Sequence, residues 1–200
     1  MGTLTDRLRA TGFPYVERQR EHPTVVALCA GTLDEAIARE WLGQDYLFLI
    51  KERRSLARLA WQAPPSHVED LFTKLVDVCT GDLAGHVQLC KLFDVDLSVA
   101  VMRGAVTAYT DWLIERAEVY EEGLIALWAG LWGYSTLGPM MDVPTESRFA
   151  TWVRSYQDPG FATLAGRYTV MVDELDISPD RAEEVLVEGM RHEIAFWDPL

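Results

Sequence analysis

Asp45, Glu52, Asp82, His86 and Glu193 are ionisable residues standing where amphipathic helices would place leucine. A carboxyl buried alone is costly and tends to take up a proton, so its pKa climbs toward neutrality. In that range a carboxyl can both give and receive a proton. Several such groups converging on one aromatic-rich interior point to a ligand pocket with general acid/base capacity. The plainer alternative is a buried polar network, or carboxylates that escape to solvent at the end of a bundle.

The spacing can be made explicit on an ideal helix over 34–61, with Trp41 as zero. Ile37, Ala38, Leu42, Phe48, Leu49, Leu56 and Leu59 gather on one side. Arg39, Lys51, Arg53, Arg54 and Arg58 fall outside it. Asp45 and Glu52 land near the middle of the apolar side, about 40° and 20° from Trp41. They stand two turns apart, about 10 Å along the axis. In 66–93, Leu71, Leu75, Val78, Cys79, Leu89 and Phe93 share a face, with Asp82 and His86 among them at i,i+4. That spacing lets the two pair on their own helix. Near the C-terminus, Leu186, Met190, Ile194 and Trp197 share a face that also holds Glu193.

The elements that must position these groups are helices. Apolar residues recur at three- and four-residue spacing through most of the chain, with no convincing period-2 run. Gly and Pro fall between the periodic stretches, which predict helices at about 4–20, 23–30, 34–61, 66–93, 98–118, 121–141, 146–156, 160–174 and 179–197. Thr3, Ser66, Ser98, Thr145 and Ser178 stand as candidate N-caps. The expectation is an all-α bundle forming a single domain over 1–200.

Composition bounds the partners. The chain has 200 residues, 49% of them hydrophobic, enough for a sizeable core. Seven Trp, seven Tyr and seven Phe make that core, or a pocket in it, aromatic-rich. The net charge of −13 argues against nucleic acid and anionic membrane, which both need positive surface. No apolar run is long enough to span a bilayer, and the N-terminus lacks a signal-peptide pattern. Cys29, Cys79 and Cys90 show no metal-ligand spacing, and so low and odd a count fits a reducing cytoplasm. No cofactor motif stands out, and none is expected.

Six strings in fixed order carry a resemblance: "HPTVVALCAGTL" at 22–33, "QDYLFL" at 44–49, "AYTDWL" at 108–113, "LWAGLWGYSTLG" at 127–138, "TWVRSYQDPGF" at 151–161 and "HEIAFWD" at 192–198. Together they resemble the TenA/thiaminase-II family, which is related to PqqC and has a heme-oxygenase-like helical fold. The resemblance implies an aminopyrimidine ligand and a homo-oligomer, usually a tetramer. It matches Asp45 to the aspartate that binds the aminopyrimidine ring. Phe48 matches an aromatic pocket position where tyrosine is common. Tyr134 and Tyr156 match two pocket tyrosines, and Glu193 matches the glutamate that serves as acid/base. The family's main branch has a nucleophilic cysteine four residues before the tyrosine matched by Tyr134; this chain has Gly130 there. A cysteine-less branch hydrolyses aminopyrimidine salvage intermediates with glutamates. The stretch "TGDLAGHV", where further acidic groups would be sought, offers only Asp82.

The resemblance therefore implies a hydrolase of thiamine-related aminopyrimidines in which carboxylates act without a thiolate; Glu52, found by the helix projection, is expected as a spare base and further substrate contact. Two other readings share the same residues. One is an aminopyrimidine-binding protein that has lost the chemistry, for which Gly130 is the best sign. The other is a di-metal oxidase built on Glu52, Asp82, His86 and Glu193, which is short of histidines. His22 could suggest a haem ligand, but next to Pro23 it reads better as a structural residue at a helix start.

Overall fold

The computed structural model describes residues 2–198, and every helix or turn of regular structure among them is helical. In chain order the α-helices are α1 (Leu4–Arg20), α2 (Pro23–Cys29), α3 (Glu35–Gln62), α4 (Val68–Cys79), α5 (Gly81–Leu92), α6 (Gly104–Arg116), α7 (Tyr120–Leu137), α8 (Ala150–Ser155), α9 (Pro159–Asp173) and α10 (Pro179–Phe196). A short 3₁₀ turn, Gly138–Met140, follows α7. Backbone packing divides these residues into two compact units. The mid-chain unit is Asp34–Gly123, and the terminal unit joins residues 2–33 to 124–198.

In the mid-chain unit, α3 packs against α4, α5 and α6. It starts where Asp34 accepts the Ala36 and Ile37 N–H groups, satisfying two donors that the first turn cannot pair. Its 28 residues run about 42 Å, so one helix serves three neighbours. Trp41, Leu42, Leu56 and Leu59 are buried as the projection requires, and Glu52 is buried among them. Gln44 pins the segment before α6: its amide donates to the Val101 carbonyl at 2.8 Å, and its Oε1 accepts the Arg103 N–H at 2.8 Å.

The stretch expected as one helix over 66–93 is two. It breaks at Thr80 (φ −126°, ψ −77°), whose hydroxyl donates to the Val76 carbonyl at 2.7 Å. A threonine bonding back to its own helix, followed by Gly81, ends α4 although the apolar stripe runs on. Leu71, Val78 and Phe93 are buried as expected, while Cys79 is exposed. Ser66 and Ser98 do not cap helices. His67 precedes α4, and α6 begins at Gly104 after an Asp96–Ser98 turn in which Ser98 bonds Asp96 through both N–H and hydroxyl.

In the terminal unit, α1 lies along α10 and also touches α9 and α2. Thr3 caps α1 in a capping box with Asp6, and Ser178 caps α10 ahead of Pro179, both as expected. Thr145 caps nothing, since α8 starts at Ala150 after Phe149. Thr5 donates its N–H and hydroxyl to the two Asp173 oxygens at 2.8 and 2.9 Å, tying the start of α1 to the end of α9. Gly12 lets α1 approach Trp132, because a Cβ there would stand 2.6 Å from that ring. From Leu124 to Ala129 every residue of α7 is buried, so this helix is core on all sides.

Candidate functional site

The mid-chain unit holds Asp45, Phe48 and Glu52 of the expected site residues, and the terminal unit holds Tyr134, Tyr156 and Glu193.

Asp45 projects from α3 toward α5. Its Oδ2 lies 3.2 Å from His86 Nδ1, and the other ring nitrogen, Nε2, lies 2.8 Å from the Leu42 carbonyl. A carbonyl only accepts, so Nε2 carries a proton and the tautomer is set by the backbone of α3. His86 is held at both ends, with 8% of its side chain exposed, whereas Asp45 retains 23%. Asp45 is therefore reachable from solvent at one oxygen: among the described residues Oδ1 has no protein partner. Desolvation raises the Asp45 carboxyl above the usual aspartate range, and the His86 ring beside it works in the opposite direction. The i,i+4 pairing of Asp82 with His86 expected from spacing is not made. Asp82 pairs with Lys74 at 2.8 Å, and His86 turns to Asp45.

Glu52 is 8% exposed, and among the described residues its carboxyl makes no hydrogen bond or ion pair. Burial pushes it up to about 7; Lys74 pulls it down, and Asp45 and Asp82 push it further up. It is thus a buried carboxyl poised near neutrality, two helical turns from Asp45. Phe48, one turn on from Asp45, is half-buried and sits 5.1 Å from the Tyr109 ring at 39°. Tyr109 in turn lies 6.0 Å from Trp112, so α3 and α6 together present an aromatic row.

Cys90 on α5 approaches the same Leu42 carbonyl as His86. Its thiol is buried, points 3.7 Å from the Leu42 carbonyl, and is pushed up to about 12 by burial first and the Asp45 charge second. Cys79 is exposed on α4 and Cys29 is half-buried on α2. Gly130 lies within α7. Among the described residues no three His, Cys, Asp or Glu side chains meet as a metal-holding set. Asp82 and His86, both needed for a di-metal centre, are each engaged elsewhere.

In the terminal unit the Tyr134 and Tyr156 rings stack on each other, 4.8 Å apart at 21°. The Tyr156 hydroxyl accepts from Trp152 Nε1 at 3.1 Å, and Tyr134 leans on Trp197 at 6.2 Å. Gly138 makes this stack possible: a Cβ there would stand 2.3 Å from the Tyr156 carbonyl oxygen. Gln157 reinforces the same approach by donating to the Gly138 and Met141 carbonyls at 3.1 and 2.7 Å. Glu193 on α10 is 4% exposed. His22 plays the structural part: Nδ1 accepts the Thr24 N–H at 3.3 Å to cap α2, and Nε2 faces Asp198 at 3.2 Å.

Four contributors were not singled out by sequence reasoning: the Leu42 carbonyl, Lys74, Tyr109 and Trp152. A backbone carbonyl leaves no mark in a sequence. Lys74 gave one usable signal, a lone lysine among the apolar residues of α4, one of only three in the chain.

Comparison with known proteins agrees with this architecture. The model of the TENA/THI-4/PQQC family matches residues 6–200. An aminopyrimidine aminohydrolase of Helicobacter pylori is 21% identical, over 88% of each chain. A thiamine biosynthesis multifunctional protein, ThiED, of Corynebacterium glutamicum is 28% identical over 68% of this chain, which is 18% of that longer protein. Among solved structures, a TenA homologue from P. horikoshii superposes with a TM-score of 0.91 at 26% identity, covering 98% of this chain and 97% of that one. Among the described residues no helix is long and apolar enough to cross a membrane. The match over nearly the whole length, with the all-α TenA fold, shows that the chain belongs to the TENA/THI-4/PQQC family.

Proposed function

We propose that this protein hydrolyses thiamine-related aminopyrimidines with carboxylates in place of a thiolate. The observation that carries the reading is Asp45: a desolvated aspartate held at Oδ2 by a backbone-fixed imidazole, open at Oδ1, one helical turn from an aromatic row. An aminopyrimidine offers two adjacent nitrogens, one in the ring and one exocyclic, and a carboxylate can bind both in one plane. Phe48 supplies an apolar face against the ring. The names of the relatives from H. pylori and C. glutamicum point the same way.

Water is the nucleophile in this scheme, since position 130 is glycine and the Cys90 thiol is held protonated. Water attacks the carbon that bears the leaving nitrogen, that C–N bond breaks, and the nitrogen leaves as ammonia or, from thiamine, as the thiazole. A base takes a proton from the water, and an acid returns one to the leaving nitrogen. Glu193 has the acid/base role that family resemblance gives it, and Glu52, near neutrality, is a second proton acceptor. Tyr134 and Tyr156 have the role of substrate contacts. A homo-oligomer, a tetramer by family habit, is part of the same reading and is checked by light scattering.

The test is release of ammonia from 4-amino-5-(aminomethyl)-2-methylpyrimidine and of thiazole from thiamine. The reading fails if neither turns over. Gly130 favours one second reading, an aminopyrimidine-binding protein without catalysis. Ligand-induced thermal stabilisation with no turnover would select it.

A further inference from the structure

His86 does more than fill space beside Asp45. Its Nε2–H is committed to the Leu42 carbonyl, so its only variable position is Nδ1, which faces Asp45 Oδ2. Cys90, one turn along α5, directs its thiol at the same carbonyl, so Leu42 anchors two α5 side chains at once. The Nδ1–Oδ2 contact needs one proton. Either the imidazole carries it and Asp45 is a carboxylate, or Asp45 carries it and donates to a neutral ring. Both arrangements are neutral overall, and both leave Oδ1 as an acceptor.

Binding an aminopyrimidine changes this count. The exocyclic N–H can donate to an Asp45 oxygen without help. The ring nitrogen beside it has only a lone pair, as does Oδ1, so that contact needs a proton of its own. The pair without ligand holds one proton for the Nδ1–Oδ2 contact. The pair with ligand needs two, one for Nδ1–Oδ2 and one for Oδ1–ring nitrogen. We propose that His86 is a positioning residue that makes capture of an aminopyrimidine at Asp45 proton-linked, with one solvent proton taken up for each ring bound. The inference rests on the reading of Asp45 as the ring anchor.

The proton balance is closed. The solvent proton ends on the ring nitrogen or Oδ1, His86 Nδ1 keeps the original one, and no bond other than hydrogen bonds forms or breaks. Glu52 on α3 and Cys90 on α5 feel the Asp45 charge, and Lys74 on α4 and Asp82 on α5 act on Glu52. Lys74 and Asp82 are paired with each other, and the Cys90 thiol stays protonated, so Glu52 is the other candidate to exchange a proton.

The experiment is calorimetric titration of the full chain with 4-aminopyrimidine in buffers of different ionisation enthalpy, at a pH where the free ring is neutral. The wild type is expected to take up about one proton per ring. In His86→Phe the partner for Oδ2 is gone and burial acts on Asp45 unopposed, which raises the share of Asp45 already protonated before binding, so uptake is expected to fall below the wild type's. A merely structural role for His86 would weaken binding and leave the uptake unchanged. Glu52→Gln is expected to retain the uptake. No uptake in the wild type overturns the inference even if His86→Phe does not fold. So does unchanged uptake in His86→Phe, or loss of uptake in Glu52→Gln, which assigns the proton to Glu52. Absence of any binding heat is a different result: it removes Asp45 as the ring anchor and this inference with it.

Discussion

His86 Nδ1 stands 3.2 Å from Asp45 Oδ2, while the same ring donates from Nε2 to Leu42, one turn earlier on α3. One imidazole thus grips one turn of α3 at two points. It fixes which oxygen of Asp45 faces the ring and which has no protein partner among the described residues. For the proposed ring anchor, such support is what would hold its geometry within a fraction of an ångström.

Glu52 gives the first prediction. Its folded-state value of about 7 lies above the ordinary 4.5, chiefly through desolvation. The folded chain therefore binds this proton more tightly than the unfolded chain. The contribution is fully present below pH 4.5 and is lost as pH rises through about 7. Glu52→Gln keeps the shape and removes the titration. Urea unfolding from low pH to above neutrality is expected to show the variant gaining on the wild type by up to about 3 kcal/mol. Stability curves that stay parallel across that range would contradict it.

Gly138 gives the second. A methyl group there meets the Tyr156 carbonyl oxygen at 2.3 Å and its carbon at 2.8 Å, and backbone cannot swing aside as a side chain can. Gly138→Ala is expected to cost about 1–3 kcal/mol. It is also expected to part the Tyr134–Tyr156 stack, with a loss of near-ultraviolet circular dichroism. An unchanged spectrum would show that the close approach is not what holds the two rings together.

Glu193 gives the third, on the proposed chemistry. Glu193→Gln preserves volume at a site that is 4% exposed but removes the proton donor. If Glu193 is the acid/base, kcat for ammonia release is expected to fall about 10²- to 10⁴-fold with KM little changed. A rise in KM at constant kcat would make it a binding residue instead.

The helices were legible where local chemistry decided them. Thr3 and Ser178 sit before acidic or proline first turns and start α1 and α10 as read. Capping chemistry misleads where it is present but used elsewhere: Ser98 closes a turn on Asp96, and Thr80 bonds back to Val76 and ends a helix mid-stripe. For the site, the projection of one helix placed Asp45 and Glu52 on the apolar side, and the structure makes Glu52 buried and Asp45 largely so. It could not choose partners. Asp82 and His86 are spaced to pair, but the register between α3 and α5 brings His86 to Asp45, 41 residues earlier (86 − 45). That register depends on packing between helices, which no single-helix periodicity contains.

The most direct test of the central claim is the affinity of Asp45→Ala for 4-amino-5-(hydroxymethyl)-2-methylpyrimidine, measured by calorimetry beside the wild type with circular dichroism as the folding control. The variant is expected to fold and to bind more weakly by about 2–3 kcal/mol, roughly 30- to 150-fold in Kd. A folded variant that binds the ring as tightly as the wild type would contradict it.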